Sequence, residues 1–325
     1  MSRSFAPSSR RAPSALAAVL ALGALLHAGA WAPAEGQPLA GTDALPAWPL
    51  VRGDWLQANL QRPGLVILHA TRDGSDFAEG HIPGARPVLA SRIAWDGATG
   101  VGTELRSFTE LREVLEEAGV SDWSTVLVYG SDLMVAARLW MTLDVTGAGS
   151  GVPLFLDGGL PVWKEEGRPL ANGPAPTGRG RLTLRPDPEK LVTAEWILVR
   201  LGHEDLSLLD ARPENQFWGV DGGVEPGLNP GHIPNARNLM WEMLVESPER
   251  PLFRSRDEMA ALFLHFGAQP ANQVVTYCGV GMRASVTYMI SRMLGYETRL
   301  YDGSWREWGA TDYPRIPRPG RVDGG

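Results

Sequence analysis

Val274-Val275-Thr276-Tyr277-Cys278-Gly279-Val280-Gly281-Met282-Arg283, followed by Ala284 and Ser285, is the stretch around which the chain is organised. Val274 to Tyr277 is short and largely apolar, as a buried strand is. Ala284 to Leu294 repeats apolar residues at helical spacing and ends at Gly295, where a helix C-terminus favours glycine. The only cysteine of the 325 residues therefore falls in a strand-to-helix turn. Gly279 and Gly281 are expected to let that turn curl until several N–H groups point inward. The helix start adds partial positive charge, so the turn favours an anion, and the thiolate is the form of a cysteine that attacks. Arg283 brings a fixed positive charge to the rim. Free cysteines are usually small buried hydrophobes, but glycines, strand-turn-helix setting and arginine together point to a nucleophile.

Four residues separate Cys278 from Arg283. Cysteine phosphatases ring a tetrahedral phosphate with a loop one residue longer; the shorter ring is better sized for a single sulfur. A Cys-x-x-Gly-x-Arg loop of this length resembles the active loop of the rhodanese sulfurtransferase family. Tyr277, where cysteine phosphatases carry histidine, further disfavours a phosphatase or an arsenate reductase.

At 325 residues and 44% hydrophobic, the chain is long enough for two ordinary domains. A net charge of −7 argues against a nucleic-acid surface, which needs clustered Lys and Arg. Residues 1–34 read as a secretory signal: Arg3, Arg10 and Arg11, an apolar run over 15–26, then Ala28-Gly29-Ala30. That run is shorter than the roughly 20 residues of a comfortable membrane span. No cysteine follows it to carry a lipid anchor. The mature protein is expected to begin near Trp31 or Glu35 and to be exported, periplasmic or secreted, and soluble, with no stable membrane anchor. An uncleaved anchor is the competing reading. A lone cysteine cannot form an internal disulfide in an oxidising compartment, so whatever Cys278 takes up must be discharged to an outside acceptor.

An internal repeat with an offset of about 145 residues sets the domain plan. Asp54-Trp55-Leu56 is echoed by Glu195-Trp196-Ile197, and Leu65 to Ala70 by Leu206 to Ala211. Gly80-His81-Ile82-Pro83 returns as Gly231-His232-Ile233-Pro234. Ser107 with Glu110 and Ser255 with Glu258 form capping boxes ahead of amphipathic helices. Strands follow at Val126 to Tyr129 and Val274 to Tyr277. Each half closes with an Asp-Gly box, Asp157 to Trp163 and Asp302 to Trp308. Strands alternating with helices predict two α/β domains, each a mostly parallel sheet with helices on both faces. Their expected bounds are 46–170 and 191–313, joined by an exposed proline- and glycine-rich linker over 171–190 and followed by a tail over 314–325.

The halves differ where chemistry is expected. Gly130 stands at the place of Cys278, Val135 at that of Arg283, and His69 and Thr71 at those of Asp210 and Arg212. The first half reads as a scaffold without a nucleophile whose surface walls off the pocket. Trp163, Trp241 and Trp305 are candidates for the seam between the halves.

These boxes resemble the tandem-domain rhodaneses over residues 46–313. The resemblance implies a two-step displacement in which Cys278 takes a sulfur as a persulfide, cradled by Gly279, Val280, Gly281 and Met282 with Arg283, and hands it to cyanide or a thiol. It implies no metal and no cofactor. The histidines of the Gly-His-Ile-Pro boxes read as turn-forming residues that bond the backbone. Asp210 and Arg212 read as an ion pair bracing the loop, with direct substrate contact as the alternative, and Trp305 as lining the pocket. The chain departs from the family's mercaptopyruvate enzymes: Gln216 stands where they carry an arginine, residues 219–227 hold no basic residue, and the loop ends in Met282-Arg283 rather than Val-Thr. Val280 replaces the loop lysine of the animal thiosulfate enzymes. Arg283 can supply the missing charge by forking onto two oxygens of a sulfonate-like anion, so thiosulfate is the expected donor. A mercaptopyruvate enzyme, or a non-enzymatic persulfide carrier or sensor serving a sulfur-accepting protein, are the alternatives.

Overall fold

Each half builds a sheet whose central strand ends at the point where the sequence places its chemistry. The computed structural model describes residues 45–95, 101–220 and 224–317; the expected signal over 1–34 and the end of the tail lie outside them. In the first half the strands are β1 (Leu50–Val51), β2 (Leu65–Thr71), β3 (Arg86–Leu89), β4 (Ala94–Trp95), β5 (Glu104–Leu105), β6 (Thr125–Gly130) and β7 (Leu154–Leu156). The second half adds β8 (Leu191–Val192), β9 (Leu206–Asp210), β10 (Arg237–Asn238), β11 (Gln273–Tyr277) and β12 (Glu297–Tyr301). The sheet orders are β1-β7-β6-β2-β3 and, from the opposite edge, β8-β12-β11-β9-β10, so the topology repeats as the sequence does. All neighbours in both five-stranded sheets are parallel. An antiparallel pair, β4 with β5, stands outside them, and the isolated antiparallel bridge Val245–Phe253 holds the matching place in the second half.

Both capping boxes form, Ser107 with Glu110 and Ser255 with Glu258, each serine accepting from the glutamate N–H and each glutamate reaching back. They start the helices Phe108–Glu117 and Arg256–His265. The helix after Cys278 runs Met282–Leu294 and closes on Gly295 at φ 95°, in the left-handed region expected of a C-terminal glycine.

Alternation along the central strands sorts side chains into three cores. Leu127 and Tyr129 of β6 point to a core private to the first half, Val275 and Tyr277 of β11 to one private to the second. Val126, Val128 and Val274 point the other way, into one continuous core to which both halves contribute. Leu133–Thr146 and Met282–Leu294 pack on each other there and are buried on nearly every side, so the first is apolar almost all round and the second buries Ser285, Thr287 and Ser291 among its apolar residues. Asp144 adds a polar tie across this contact, accepting from the Tyr288 hydroxyl at 2.7 Å and from Arg292 Nε at 3.2 Å.

The seam does not run through the three tryptophans expected to form it. Trp163 belongs to the first half's private core and donates to the Pro169 carbonyl at 2.9 Å. Trp305 belongs to the second half's private core, and only Trp241 of the three packs against the shared one. The helix Gly159–Glu165 still touches the second half, Glu165 pairing with Arg250 at 3.1 Å, but the Trp163 side chain is packed into its own half's private core.

Residues 171–190 are mostly exposed, with Leu182 buried, and are pinned at their start, where Ala171 bridges His81. Ile316 bridges His232 in the same way. Both histidines act within the turn: His81 Nδ1 meets the Phe77 carbonyl at 2.9 Å and His232 Nδ1 the Phe217 carbonyl at 3.2 Å, with each ring stacked on the same phenylalanine.

Candidate active site

β11 ends at Tyr277, and the next residue, Cys278, is 1% exposed and faces the shared core. Its N–H donates to Ser304 Oγ at 3.2 Å. Ser304, a non-glycine residue at φ 52°, donates in turn to the Tyr301 carbonyl at 2.9 Å. Successive carbonyls of the turn are then tied outward. Cys278 O accepts from the Trp305 N–H at 2.8 Å and Gly279 O from the Arg306 N–H at 3.0 Å, both at the start of the helix Ser304–Trp308. Val280 O accepts from the Thr103 hydroxyl of the first half, and Gly281 O from Ser285 N–H at 3.1 Å and Ser285 Oγ at 2.9 Å. In a planar trans peptide the next N–H lies opposite each carbonyl. The N–H groups of Gly279, Val280 and Gly281 therefore face into the turn, and none has a partner among the described residues. Inward donors without protein partners at a helix start form a site for an anion.

The two loop glycines are not equivalent, contrary to the expectation that both curl the backbone. Gly281 is at φ 81°, and a Cβ there would lie 2.7 Å from Asp302 Oδ1. Gly279 is outside the left-handed region, and a Cβ on it would meet only ordinary contacts, Glu225 Oε1 at 3.8 Å and Arg283 Nη1 at 4.0 Å. The sharp bend is made at one residue.

Arg283 leans over the loop, with Nη1 donating to Gln216 Oε1 at 3.1 Å. Met282 opens the helix beside it. Glu225 also stands at the mouth, paired with Arg306 at 2.7 Å. Asp210 and Arg212 form the expected brace: Nε lies 3.0 Å from both carboxylate oxygens and Nη2 2.7 Å from one, with at most 2% of either side chain exposed. Arg212 Nη2 also reaches the Gly231 carbonyl at 2.9 Å, and the guanidinium lies 4.5 Å from the centre of the Trp305 ring. Burial opposes the charge on Arg212, but Asp210 outweighs it and holds the guanidinium pKa above its ordinary value. A closed, buried pair of this kind shapes the floor of the site. Trp305 works from the same position, its ring under Arg212 and its N–H on the Cys278 carbonyl.

The matching corner of the first half is filled. A Cβ on Gly130 would lie 2.6 Å from the Ala70 carbonyl, and Val135 is buried at the place of Arg283. Asp76 accepts from the Thr71 hydroxyl and meets His69 Nε2 at 3.0 Å, where the second half has its Asp210–Arg212 pair. Asp132 occupies the loop position of Val280 and pairs with Arg72. Asp132 also accepts from the Met134 N–H at 2.9 Å and the Val135 N–H at 3.3 Å, so donors at this helix start are already filled.

Four participants are missing from the sequence-based set: Thr103, Arg138, Ser304 and Glu225. Arg138 interrupts the apolar run Leu133 to Leu143, and a charge in such a run signals a buried partner. Its partner is Asp302, 2.9 Å from Nη2. Ser304 sits inside the Asp-Gly box. Thr103 and Glu225 carry no local signal, since both act on residues far along the chain.

The Rhodanese-like domain family matches residues 53–166 and again 193–311. The thiosulfate sulfurtransferase of Azotobacter vinelandii is 34% identical over 265 residues, covering 81% of this chain and 93% of that protein. The sulfur carrier protein TtuD of Thermus thermophilus is 30% identical over 273 residues, covering 80% and 93%. Among solved structures, SseA from Escherichia coli, a 3-mercaptopyruvate sulfotransferase, superposes with a TM-score of 0.68 at 26% identity, covering 79% of this chain and 99% of that one.

Proposed function

The chain belongs to the rhodanese family of sulfurtransferases, and on that premise we propose that it moves the outer sulfur of thiosulfate to a thiophilic acceptor through a persulfide on Cys278. The observation that carries the site assignment is the run of loop carbonyls tied outward around the only cysteine, which turns the N–H groups of Gly279 to Gly281 inward. The Cys278 thiolate attacks the outer sulfur, the sulfur–sulfur bond of thiosulfate breaks, and sulfite leaves with the electron pair. The persulfide anion left on Cys278 faces the loop N–H groups, as an oxyanion faces its donors. Cyanide or a thiolate then attacks the terminal sulfur and the Cys278 thiolate is restored. Arg283 holds the sulfonate-like end of the donor.

Thiosulfate is favoured over mercaptopyruvate by what surrounds the mouth. Gln216, standing where the mercaptopyruvate enzymes carry an arginine, supplies no charge for a carboxylate and is spent on Arg283. The relative named as a sulfur carrier supports a second reading, in which the acceptor of the persulfide is a protein. Both share the first half-reaction and separate at turnover with small acceptors. Export of the chain through residues 1–34 is proposed on the sequence alone; N-terminal sequencing of the mature protein tests it.

Steady-state assays with thiosulfate and with mercaptopyruvate, cyanide accepting, measure the preference. Mass spectrometry after thiosulfate treatment is expected to show a gain of one sulfur, about 32 Da, in the wild type and none in Cys278→Ser. Sulfur transfer surviving in the serine variant would overturn the assignment.

A further inference from the structure

The first half reaches into the catalytic loop at one peptide. The carbonyls of Cys278, Gly279 and Gly281 are tied by groups of the second half itself, whereas that of Val280 is tied by the hydroxyl of Thr103. Thr103 directly precedes β5, in the antiparallel segment whose counterpart in the second half carries the Val245–Phe253 bridge. We infer that Thr103 is a positioning residue for sulfur transfer: it fixes the Val280–Gly281 peptide so that the Gly281 N–H stays turned into the anion site, and Arg138 holds Thr103 in place. This inference rests on the proposed sulfur-transfer chemistry.

The geometry carries it in two steps. Val280–Gly281 is the loop peptide most able to turn over, because Gly281 is at φ 81° and glycine occupies both signs of φ at little cost. Were it to turn, an inward donor would become an inward carbonyl, and a partial negative charge would replace a partial positive one beside the persulfide. One hydrogen bond to the carbonyl opposes this. The second step is Arg138, which is 1% exposed. Its Nη2 donates to the Thr103 carbonyl at 2.5 Å and to Asp302 Oδ2 at 2.9 Å. Asp302 also accepts from the Leu105 N–H at 2.9 Å, and its other oxygen lies 2.7 Å from where a Gly281 Cβ would be. The same guanidinium therefore anchors the backbone of Thr103 and offsets a carboxylate that would otherwise oppose an anion at the loop.

Thr103→Val keeps the shape and removes the hydroxyl; Thr103→Ser keeps the hydroxyl. Two readouts are taken on the full chain. With thiosulfate and cyanide, Thr103→Val is expected to lose about tenfold or more in kcat, up to the roughly 10²-fold at the low end of removing an oxyanion donor outright, with KM little changed and Thr103→Ser close to wild type. The melting temperature should stay within about 2 °C of wild type, a shift too small for a broken fold. Alkylation of Cys278 by iodoacetamide at neutral pH needs no sulfur donor and reads the same N–H groups through the reactivity of the thiolate. It is expected to slow in Thr103→Val and to recover in Thr103→Ser. Equal alkylation rates in all three proteins would overturn the positioning role, as would an unchanged kcat in Thr103→Val. A wild type that alkylates readily but turns over no thiosulfate would overturn the proposed reaction instead, and the alkylation series would still decide the role of Thr103.

Discussion

At Arg283, charge and geometry give separate expectations. A guanidinium can place two parallel N–H bonds on a sulfonate-like end, and one of its nitrogens already leans on Gln216. Arg283→Ala is expected to cost about 1.5–3 kcal/mol in kcat/KM for thiosulfate, the range of hydrogen bonds to charged groups. Arg283→Lys should lose much of the same, because a point charge cannot reproduce the fork. Wild-type rates in both variants would reduce the arginine to a surface charge. His232 makes a prediction about acid. Burial against Phe217 lowers its pKa from 6.5 to about 4, so the folded ring stays neutral where the unfolded one is charged. Its contribution to stability is complete above the unfolded value and is lost as pH falls from about 6.5 through 4, by up to about 3 kcal/mol. Urea melts across that window should show a shallower acid decline in His232→Gln than in the wild type. Parallel declines would show that another group titrates there.

At the scale of the loop and its helix, the two glycines separate conformation from space. Gly281→Ala meets both a left-handed φ and the Asp302 carboxylate, and is expected to cost about 2 kcal/mol or more. Gly279→Ala meets neither and should leave the melting temperature near wild type. Equal losses in the two variants, measured by thermal unfolding, would contradict the assignment of the bend to Gly281. The elements themselves were legible in the sequence because their signals are local. Capping boxes, the apolar run before Cys278, the closing Gly295 and the repeat all lie within a few residues or recur at a fixed offset. What escaped is set by tertiary placement. Equal-looking glycines differ because only one faces Asp302. Trp163 and Trp305 miss the seam because each is packed into the private core of its own half, and Thr103 meets Val280 only because the β4–β5 segment hangs over the other half.

Over the whole molecule, the continuous inner core makes the halves interdependent. Residues from 191 onward, expressed alone, would expose the faces of Met282–Leu294 that pack against Leu133–Thr146, and would lack Thr103 and Arg138. That fragment is expected to be poorly soluble or much less active, although Cys278 and Arg283 are both present. A soluble, monomeric and fully active fragment, judged by size-exclusion chromatography and turnover, would show that the first half supplies nothing to the site. The closed corner at Gly130 bears on how such a chain can change by descent. Placing a thiol there forces a side chain to within 2.6 Å of the Ala70 carbonyl before any benefit appears. A useful loop would further require exchanging Asp132 and the buried Val135, each serving its present neighbours. No single substitution at this corner makes a working second centre, so the first half stays held to its place beside its sibling.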